Sequence, residues 1–114
     1  MEVEVEHARL AIGDYDLGHG VLVERKTVRD LHLSVRQGRL WRQIGGLRNA
    51  AQLPYLLVEG PDLDNGWLTP AAARGVCLAV MGQGVALIRS ESTSDSALWL
   101  RLLLKRVSGV RLGR

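Results

Sequence analysis

Two short, wholly apolar runs constrain the fold of this chain more than any other feature. Residues 55–58 read YLLV and residues 85–88 read VALI, and glycine-containing polar segments lie nearby. A continuous apolar run of this length is typical of a strand buried on both faces, whereas a half-exposed strand alternates apolar and polar residues. The pattern therefore predicts a sheet that is covered on both sides.

The other patterns predict a hairpin before these strands and helices between them. Glu and Val alternate at the N-terminus, which indicates a strand, and Gly18-His19-Gly20 indicates a turn into a second strand. Strands are predicted at residues 2–17, 21–26, 55–58 and 85–88, and helices at residues 27–47, from 69 to 82 or 84, and from 94 or 95 onward. Gly38 is expected to bend or break the first helix. The order β-β-α-β-α-β-α predicts an α/β fold with a mixed sheet flanked by helices.

Length and composition indicate one globular domain, residues 1–114. Hydrophobic residues make up 46% of the 114 residues and charged residues 24%, which suits a chain with a real core. The net charge of +3 comes mainly from arginine and is compatible with a nucleic-acid partner without establishing one. Cys77 is the only cysteine, and neither a signal peptide nor an apolar run of the ~20 residues of a membrane helix occurs. We expect an intracellular protein, cytoplasmic in a prokaryote or nuclear in a eukaryote, with no membrane partner.

Charged residues with nuclease-like chemistry cluster on the predicted hairpin. Residues two apart on a strand project from the same face, so Glu24 and Lys26 stand side by side and Arg25 lies on the other face. Asp14 lies at the end of the partner strand, and a hairpin can bring it next to Glu24. Two carboxylates and one ammonium group are therefore predicted to converge at one edge of the sheet.

Hydrolysis of a phosphodiester bond uses such groups. Two carboxylates can bind Mg²⁺ or Mn²⁺ through oxygen, and a neighbouring lysine can position or deprotonate the attacking water. The spacing of Asp14, Glu24 and Lys26 matches the acidic-acidic-lysine pattern of restriction-endonuclease-like enzymes. The pattern alone is short, however, and favours a solvated hairpin with an incidental ion pair.

Further motifs in order along the chain extend this pattern. They are Gly13-Asp14-Tyr15, Val23-Glu24-Arg25-Lys26-Thr27, Asp30-Leu31, Gly38-Arg39-Leu40, Gln43 and Leu56-Leu57-Val58-Glu59-Gly60. With them, the chain closely resembles the XPF/Hef family of structure-specific endonucleases, well over residues 10–60 and loosely beyond. The resemblance implies a restriction-endonuclease-like fold that cuts branched, flap or splayed-arm DNA with Mg²⁺ or Mn²⁺.

The resemblance also implies roles for individual residues. Asp14 and Glu24 would bind the metal, with the backbone carbonyl of Arg25 as a further ligand, and Lys26 would be the catalytic lysine. Arg25 and Asp30 would support the site. Two of these residues have alternative interpretations: Arg25 as a brace of the hairpin and Asp30 as a helix cap. Glu59, at the end of a core strand, is an additional site residue of lesser weight.

Arg39 and Gln43 would lie on the helix that faces the site. They would either contact DNA or hold the helix against the strand. Family members usually carry an additional first strand with an Asp-x-Arg-Glu motif, and that motif does not occur near the N-terminus here. We expect no helix-hairpin-helix domain of the kind that commonly follows in the family, so affinity for DNA would be weak or would come from a dimer. The alternative function is therefore a catalytically weak subunit that binds DNA or scaffolds a nuclease complex.

Two expectations concern large apolar side chains. Leucine is frequent from residue 98 to 104, so the last helix is apolar on nearly every side, and a homodimer interface is a good explanation. Trp41, Trp67 and Trp99 are too scattered for a base-stacking platform, and we expect them to pack in the core or at an interface.

Overall fold

The computed structural model describes residues 14–112, which form a four-stranded sheet with helices on both faces. The strands are β1 (Asp14–Gly18), β2 (Val21–Thr27), β3 (Leu53–Glu59) and β4 (Ala86–Ser90). The helices are α1 (Val28–Arg36), α2 (Leu40–Ala50), α3 (Pro70–Gly82) and α4 (Thr93–Leu112). The predicted α/β class with a mixed sheet is confirmed, while the part of the first predicted strand before residue 14 lies outside the described residues.

The strands lie in sequence order across the sheet, with β1 at one edge. β1 pairs antiparallel with β2, and β2, β3 and β4 run parallel to one another. The carboxyl ends of the three parallel strands therefore meet at the same end of the sheet. Thr27 is paired with Glu59, and Glu59 with Ser90, so these residues mark that end.

Side-chain alternation divides the core into two layers. One layer packs α1, α2 and α3 against Leu56 and Val58 of β3, and the other packs α4 against Val23 and Leu57. The short apolar run in β3 contributes to both layers because its successive side chains point to opposite faces. This explains why the run shows no polar alternation.

A glycine converts the first predicted helix into two. Gly38 has a φ of +72°, a backbone conformation that glycine adopts at little cost, and it separates α1 from α2. Thr27 caps α1, because its side chain accepts a hydrogen bond from the backbone N–H of Asp30, and Thr69 caps α3 in the same way. Both predicted helix starts are confirmed, and the element order becomes β-β-α-α-β-α-β-α.

The loop between β3 and α3 is held against α1 by a buried histidine. The Nδ1 atom of His32 accepts a hydrogen bond from the backbone N–H of Leu68 at 3.0 Å, so Nε2 carries the proton and donates to the carbonyl of Leu63 at 2.8 Å. Gly66 lies so close that a Cβ atom there would be 2.2 Å from Cγ of His32. A residue without a side chain is required at this point because the loop backbone passes directly over the imidazole.

The expectation of core packing is wrong for the tryptophans. Trp41, Trp67 and Trp99 are all exposed, and the core is built from smaller aliphatic residues. Packing of the tryptophans at an interface stays a prediction. Among the helices between residues 14 and 112, none is long and apolar enough to cross a membrane.

Candidate nuclease site

The hairpin places two carboxylates directly opposite each other. Asp14 of β1 is the register partner of Glu24 of β2, so their side chains project from the same face of the sheet. Both residues are partly buried. Like charges opposite each other on a sheet destabilise the fold, so this pair is not explained by stability.

Lys26 extends the pair into a cluster of three charges. It lies two residues after Glu24 on the same face, and only 8% of its surface is exposed. Burial lowers the pKa of its ammonium group, and the carboxylates of Glu24, Asp30 and Asp14 act in the opposite direction. The lysine is thus a desolvated cation beside two carboxylates.

The carboxylates are also perturbed by their surroundings. Burial raises the pKa of Asp14, and Lys26 offsets part of that effect. Burial likewise raises the pKa of Glu24, with a further increase from the charge of Asp14 and a decrease from Lys26. The single ammonium group therefore does not fully compensate the two carboxylates. An additional cation would stabilise their ionised forms.

Arg25 lies on the opposite face, as predicted, and binds Glu59. Its Nε donates to Oε1 of Glu59 at 2.9 Å, and its Nη2 donates to Oε2 at 2.5 Å. Ser96 of α4 donates to the same carboxylate at 2.6 Å. These bonds lower the pKa of Glu59 and raise that of Arg25. The pair joins the carboxyl ends of β2 and β3 to the start of α4, directly behind Glu24 and Lys26.

Three other predicted residues lie on or next to α1 and α2, and two of them act on the charge of Lys26. Asp30, in the first turn of α1, raises the pKa of both Lys26 and Arg25, so its charge acts on both faces of β2. Arg39 immediately precedes α2, and its charge contributes to the lowered pKa of Lys26. Gln43 follows one turn later on the same side of α2. Its Oε1 is buried and has no hydrogen-bond partner in the part of the chain that the structure describes.

The structure thus brings Asp14, Glu24 and Lys26 together and places Asp30 and Arg39 within electrostatic reach. Arg25 is separated from them by the strand itself. Sequence reasoning gave Glu59 little weight, although a buried acidic residue at the end of an apolar strand is a signal for a charged partner. Over residues 14–112, no cluster of three or more His, Cys, Asp or Glu side chains is arranged to hold a metal.

Structural comparison shows which class of protein has this fold. The XPF protein from Aeropyrum pernix matches with a TM-score of 0.72 and 27% identity, over 92% of this chain and 53% of that one. A second structure of it, described as a complex with DNA, matches with a TM-score of 0.63 at the same identity, over 90% of this chain and 52% of that one. The fold is that of an XPF-type nuclease domain.

Sequence comparison then identifies the family. The ERCC4 domain model matches residues 1–103, so this chain belongs to the ERCC4 domain family, and the resemblance to XPF nucleases is confirmed. The 3'-flap repair endonuclease Xpf of Saccharolobus solfataricus is 31% identical over 91% of this chain and 46% of its own length. DNA repair endonuclease XPF of Cricetulus griseus is 32% identical over 96% of this chain and 11% of its own. The chain spans less than half the length of either relative.

Removing one charge from the carboxylate pair should stabilise the metal-free protein. The pKa values of Asp14 and Glu24 are higher in the folded chain than in the unfolded one. The two carboxyl groups therefore contribute their full stability below pH 3.8 and pH 4.5, their ordinary pKa values. This contribution is lost as the pH rises through the folded pKa values. Asp14→Asn and Glu24→Gln should each raise Tm by a few degrees at about pH 7 in EDTA.

The pH dependence separates this effect from general repacking. At about pH 3 the carboxyl groups are largely protonated, and the difference between variant and wild type should disappear. Glu91→Gln, at an exposed position, serves as the control and should leave Tm unchanged at either pH. A lower Tm for both site variants at neutral pH would contradict the charge repulsion described for this pair.

Loss of Arg25 should destabilise the fold through Glu59. Arg25→Met leaves the buried carboxylate of Glu59 without its main partner. We expect the free energy of unfolding to fall by about 2 kcal/mol, a loss between that of an exposed ion pair and that of a fully buried one. Glu59 contributes stability above its ordinary pKa of 4.5, and this is lost as pH falls through its lower folded value. Urea denaturation of Arg25→Met, Glu59→Leu and the double variant measures the coupling.

The double variant should cost less than the sum of the two single variants, because it removes both charges together. Arg74→Met is a matched control, since Arg74 forms an exposed ion pair with Asp64 at 2.7 Å and should change stability far less. Strict additivity of Arg25→Met and Glu59→Leu would show that the pair is not coupled.

Proposed function

We propose that this chain is the nuclease domain of a metal-dependent DNA endonuclease and that Asp14, Glu24 and Lys26 carry the reaction. The observation that supports this most strongly is the register pairing of Asp14 with Glu24 beside a buried lysine. Such a cluster lowers the stability of the fold, and groups of this kind are retained where a site needs them. The relatives named above are endonucleases by description, and one solved relative is a DNA complex.

The residues present fit a divalent cation such as Mg²⁺ or Mn²⁺. Asp14 and Glu24 offer hard oxygen ligands, and the carbonyl of Arg25 lies on the next residue of β2. Sites that act on phosphates commonly use one or two carboxylates together with water and substrate oxygens, so two are sufficient. When bound, the ion supplies Lewis-acid stabilisation of the phosphate charge and favours ionisation of water.

The chain's own residues supply orientation and proton transfer. Lys26, held in a partly desolvated position, positions or deprotonates the attacking water and offsets charge that develops on the phosphate. Asp30 and Arg39 set the field around that lysine. Gln43 offers a buried acceptor that has no partner among the described residues, which a water molecule at the site would satisfy. Arg25 holds β2 against β3 through Glu59 and acts as a positioning residue.

Branched, flap or splayed-arm DNA is the substrate class that fits best. Asp14 lies on the edge strand β1 and Glu24 on the neighbouring strand β2, so a DNA strand can approach the carboxylates from that edge of the sheet. A relative of nearly full coverage on this chain is described as a 3'-flap repair endonuclease. The second candidate is a catalytically weak subunit that binds DNA or scaffolds a complex, which the limited set of two converging carboxylates favours.

Cleavage of labelled DNA separates these functions. With Mn²⁺ or Mg²⁺, the wild type should cut flap and splayed-arm DNA faster than plain duplex. Lys26→Ala should lower the rate on the order of 10²-fold or more, because proton transfer and charge stabilisation are both lost. Asp14→Asn and Glu24→Gln should lose cleavage together with the rise in Tm that the metal ion gives the wild type.

Lys105→Ala is the control, because Lys105 is at an exposed position of α4, and this variant should cleave as the wild type does. If folded wild type gains stability with Mn²⁺ but cuts none of the three substrates, the weak-subunit function replaces the enzyme. If Lys26→Ala and Asp14→Asn cleave normally, the site assignment is wrong even though the enzyme remains.

We also propose that the chain forms a homodimer through α4. Leu100 of this helix packs into the core, while Leu98 and Leu102, one turn apart, remain exposed. Together with Trp99 they line a groove of about 550 Å³ that also includes Arg89 and Pro61. Exposed apolar side chains in a contiguous row favour a protein interface. A second copy of the chain could bury the same row on both subunits.

The oligomeric state in solution tests this proposal. We expect light scattering to give the mass of a dimer at high protein concentration, and Leu98→Glu with Leu102→Glu to give a monomer that still melts cooperatively. Leu78→Glu, at an exposed position on α3, is the matched control and should remain dimeric. A wild-type monomer at all concentrations would reject the dimer.

A further inference from the structure

The loop between β3 and α3 carries an exposed aromatic ring next to a basic helix. Trp67 is 60% exposed, and the guanidinium of Arg36 lies over its ring at 5.4 Å from the ring centre. The two side chains border a groove of about 620 Å³ on the surface of α1. Its lining is Thr27, Arg29, Asp30, His32, Leu33, Arg36, Asn65, Gly66 and Trp67.

The exposed side of α1 has the character of a nucleic-acid surface. Arg29, Leu33 and Arg36 follow the spacing i, i+4, i+7, so they form one stripe along the helix. All three are exposed, and the two arginines lie about 10 Å apart along the helix axis. Arginine binds phosphate well, and an apolar side chain between two arginines offers a surface for a base.

The aromatic ring is held in its exposed position. His32 bonds both ends of the segment from Leu63 to Leu68, and Gly66 permits the backbone to lie on the imidazole. Asp64, in the same loop, pairs with Arg74 of α3. A ring that is already positioned loses little conformational freedom when a base stacks on it.

The groove begins next to the proposed catalytic residues. Thr27 directly follows Lys26, and Asp30 both lines the groove and acts on the charge of Lys26. We propose that the groove binds an unpaired stretch of DNA next to the cleaved phosphate, with one base stacked on Trp67 and phosphates on Arg29 and Arg36. The proposal rests on the endonuclease function above and adds the part of the substrate that this surface binds.

Unpaired DNA fits this surface better than duplex. Base faces are covered by neighbouring pairs within a duplex, so an exposed indole can stack only on a base that is free of its own stack. Both arginines can hold the backbone of either form, but the ring discriminates between them. A single-stranded arm of a branched substrate presents both a backbone and free bases.

Binding is measured without cleavage, by fluorescence anisotropy of a labelled oligothymidylate. The full chain carries Lys26→Ala, and the buffer contains EDTA at low salt. Trp67→Ala should weaken binding about 5- to 150-fold, the loss expected for one stacked base, and Trp67→Phe should recover most of it. Arg36→Ala should weaken binding and reduce its dependence on salt concentration.

Matched variants and substrates make the test specific. Arg101→Ala, at an exposed position of α4 across the sheet, should bind oligothymidylate like the parent once its mass and Tm are shown to be unchanged. Trp67→Ala should affect a fully paired duplex of the same length far less than the single strand. Equal binding of Trp67→Ala and its parent, or equal losses on single strand and duplex, would overturn the proposal.

The two proposals fail in different experiments. Absence of cleavage by the wild type removes the endonuclease function but leaves the binding measurement intact, since that measurement contains no metal and uses an inactive background. Preference of the parent for oligouridylate over oligothymidylate would overturn DNA as the occupant. A normal Tm for Trp67→Ala is required in every case, and the exposed position makes this the expected result.

Discussion

The alternation of side chains along β2 is the constraint on which the rest of this structure depends. Glu24 and Lys26 face one helical layer, and Val23 and Arg25 face the other. A shift of register by one residue would exchange the two faces, which would bury Glu24 against α4 and move Arg25 to the face of the proposed site. The ion pair between Arg25 and Glu59 works against such a shift, because it forms only in the observed register.

The charged residues of the proposed site lower the stability of the fold. Burial raises the pKa values of two opposed carboxylates, and one lysine is only partial compensation. By contrast, the pair of Arg25 and Glu59 on the other face is bonded through three hydrogen bonds from Arg25 and Ser96. The proposed site and a stabilising ion pair thus lie on opposite faces of β2. The ion pair joins β2 to β3 and to α4, and so it holds the strand that carries Glu24 and Lys26.

The sequence was sufficient for the elements and for the relation between Asp14, Glu24 and Lys26. The signals for these elements are local: strand alternation, a glycine turn and two threonine caps. Each one predicts a strand, a turn or a helix start from a few neighbouring residues. The ion pair of Arg25 with Glu59 was not predicted, because it joins residues 34 positions apart through parallel pairing. The exposure of Trp67 was also missed, because the tryptophans were expected to pack in the core or at an interface. Its position depends on the contact between His32 and Gly66, which no periodicity reveals.

The contact between His32 and Gly66 has a consequence for the proposed cleavage of DNA. His32 ties the loop to α1, and α1 directly follows the strand that carries Lys26. The indole of Trp67 and the ammonium group of Lys26, proposed as catalytic, are therefore joined through hydrogen-bonded elements. The distance between them is therefore set by α1 and by the two hydrogen bonds of His32. A base held at one end would measure off a set number of nucleotides to the phosphate at the other. The proposed nuclease domain would then cut at a set distance from the bound base.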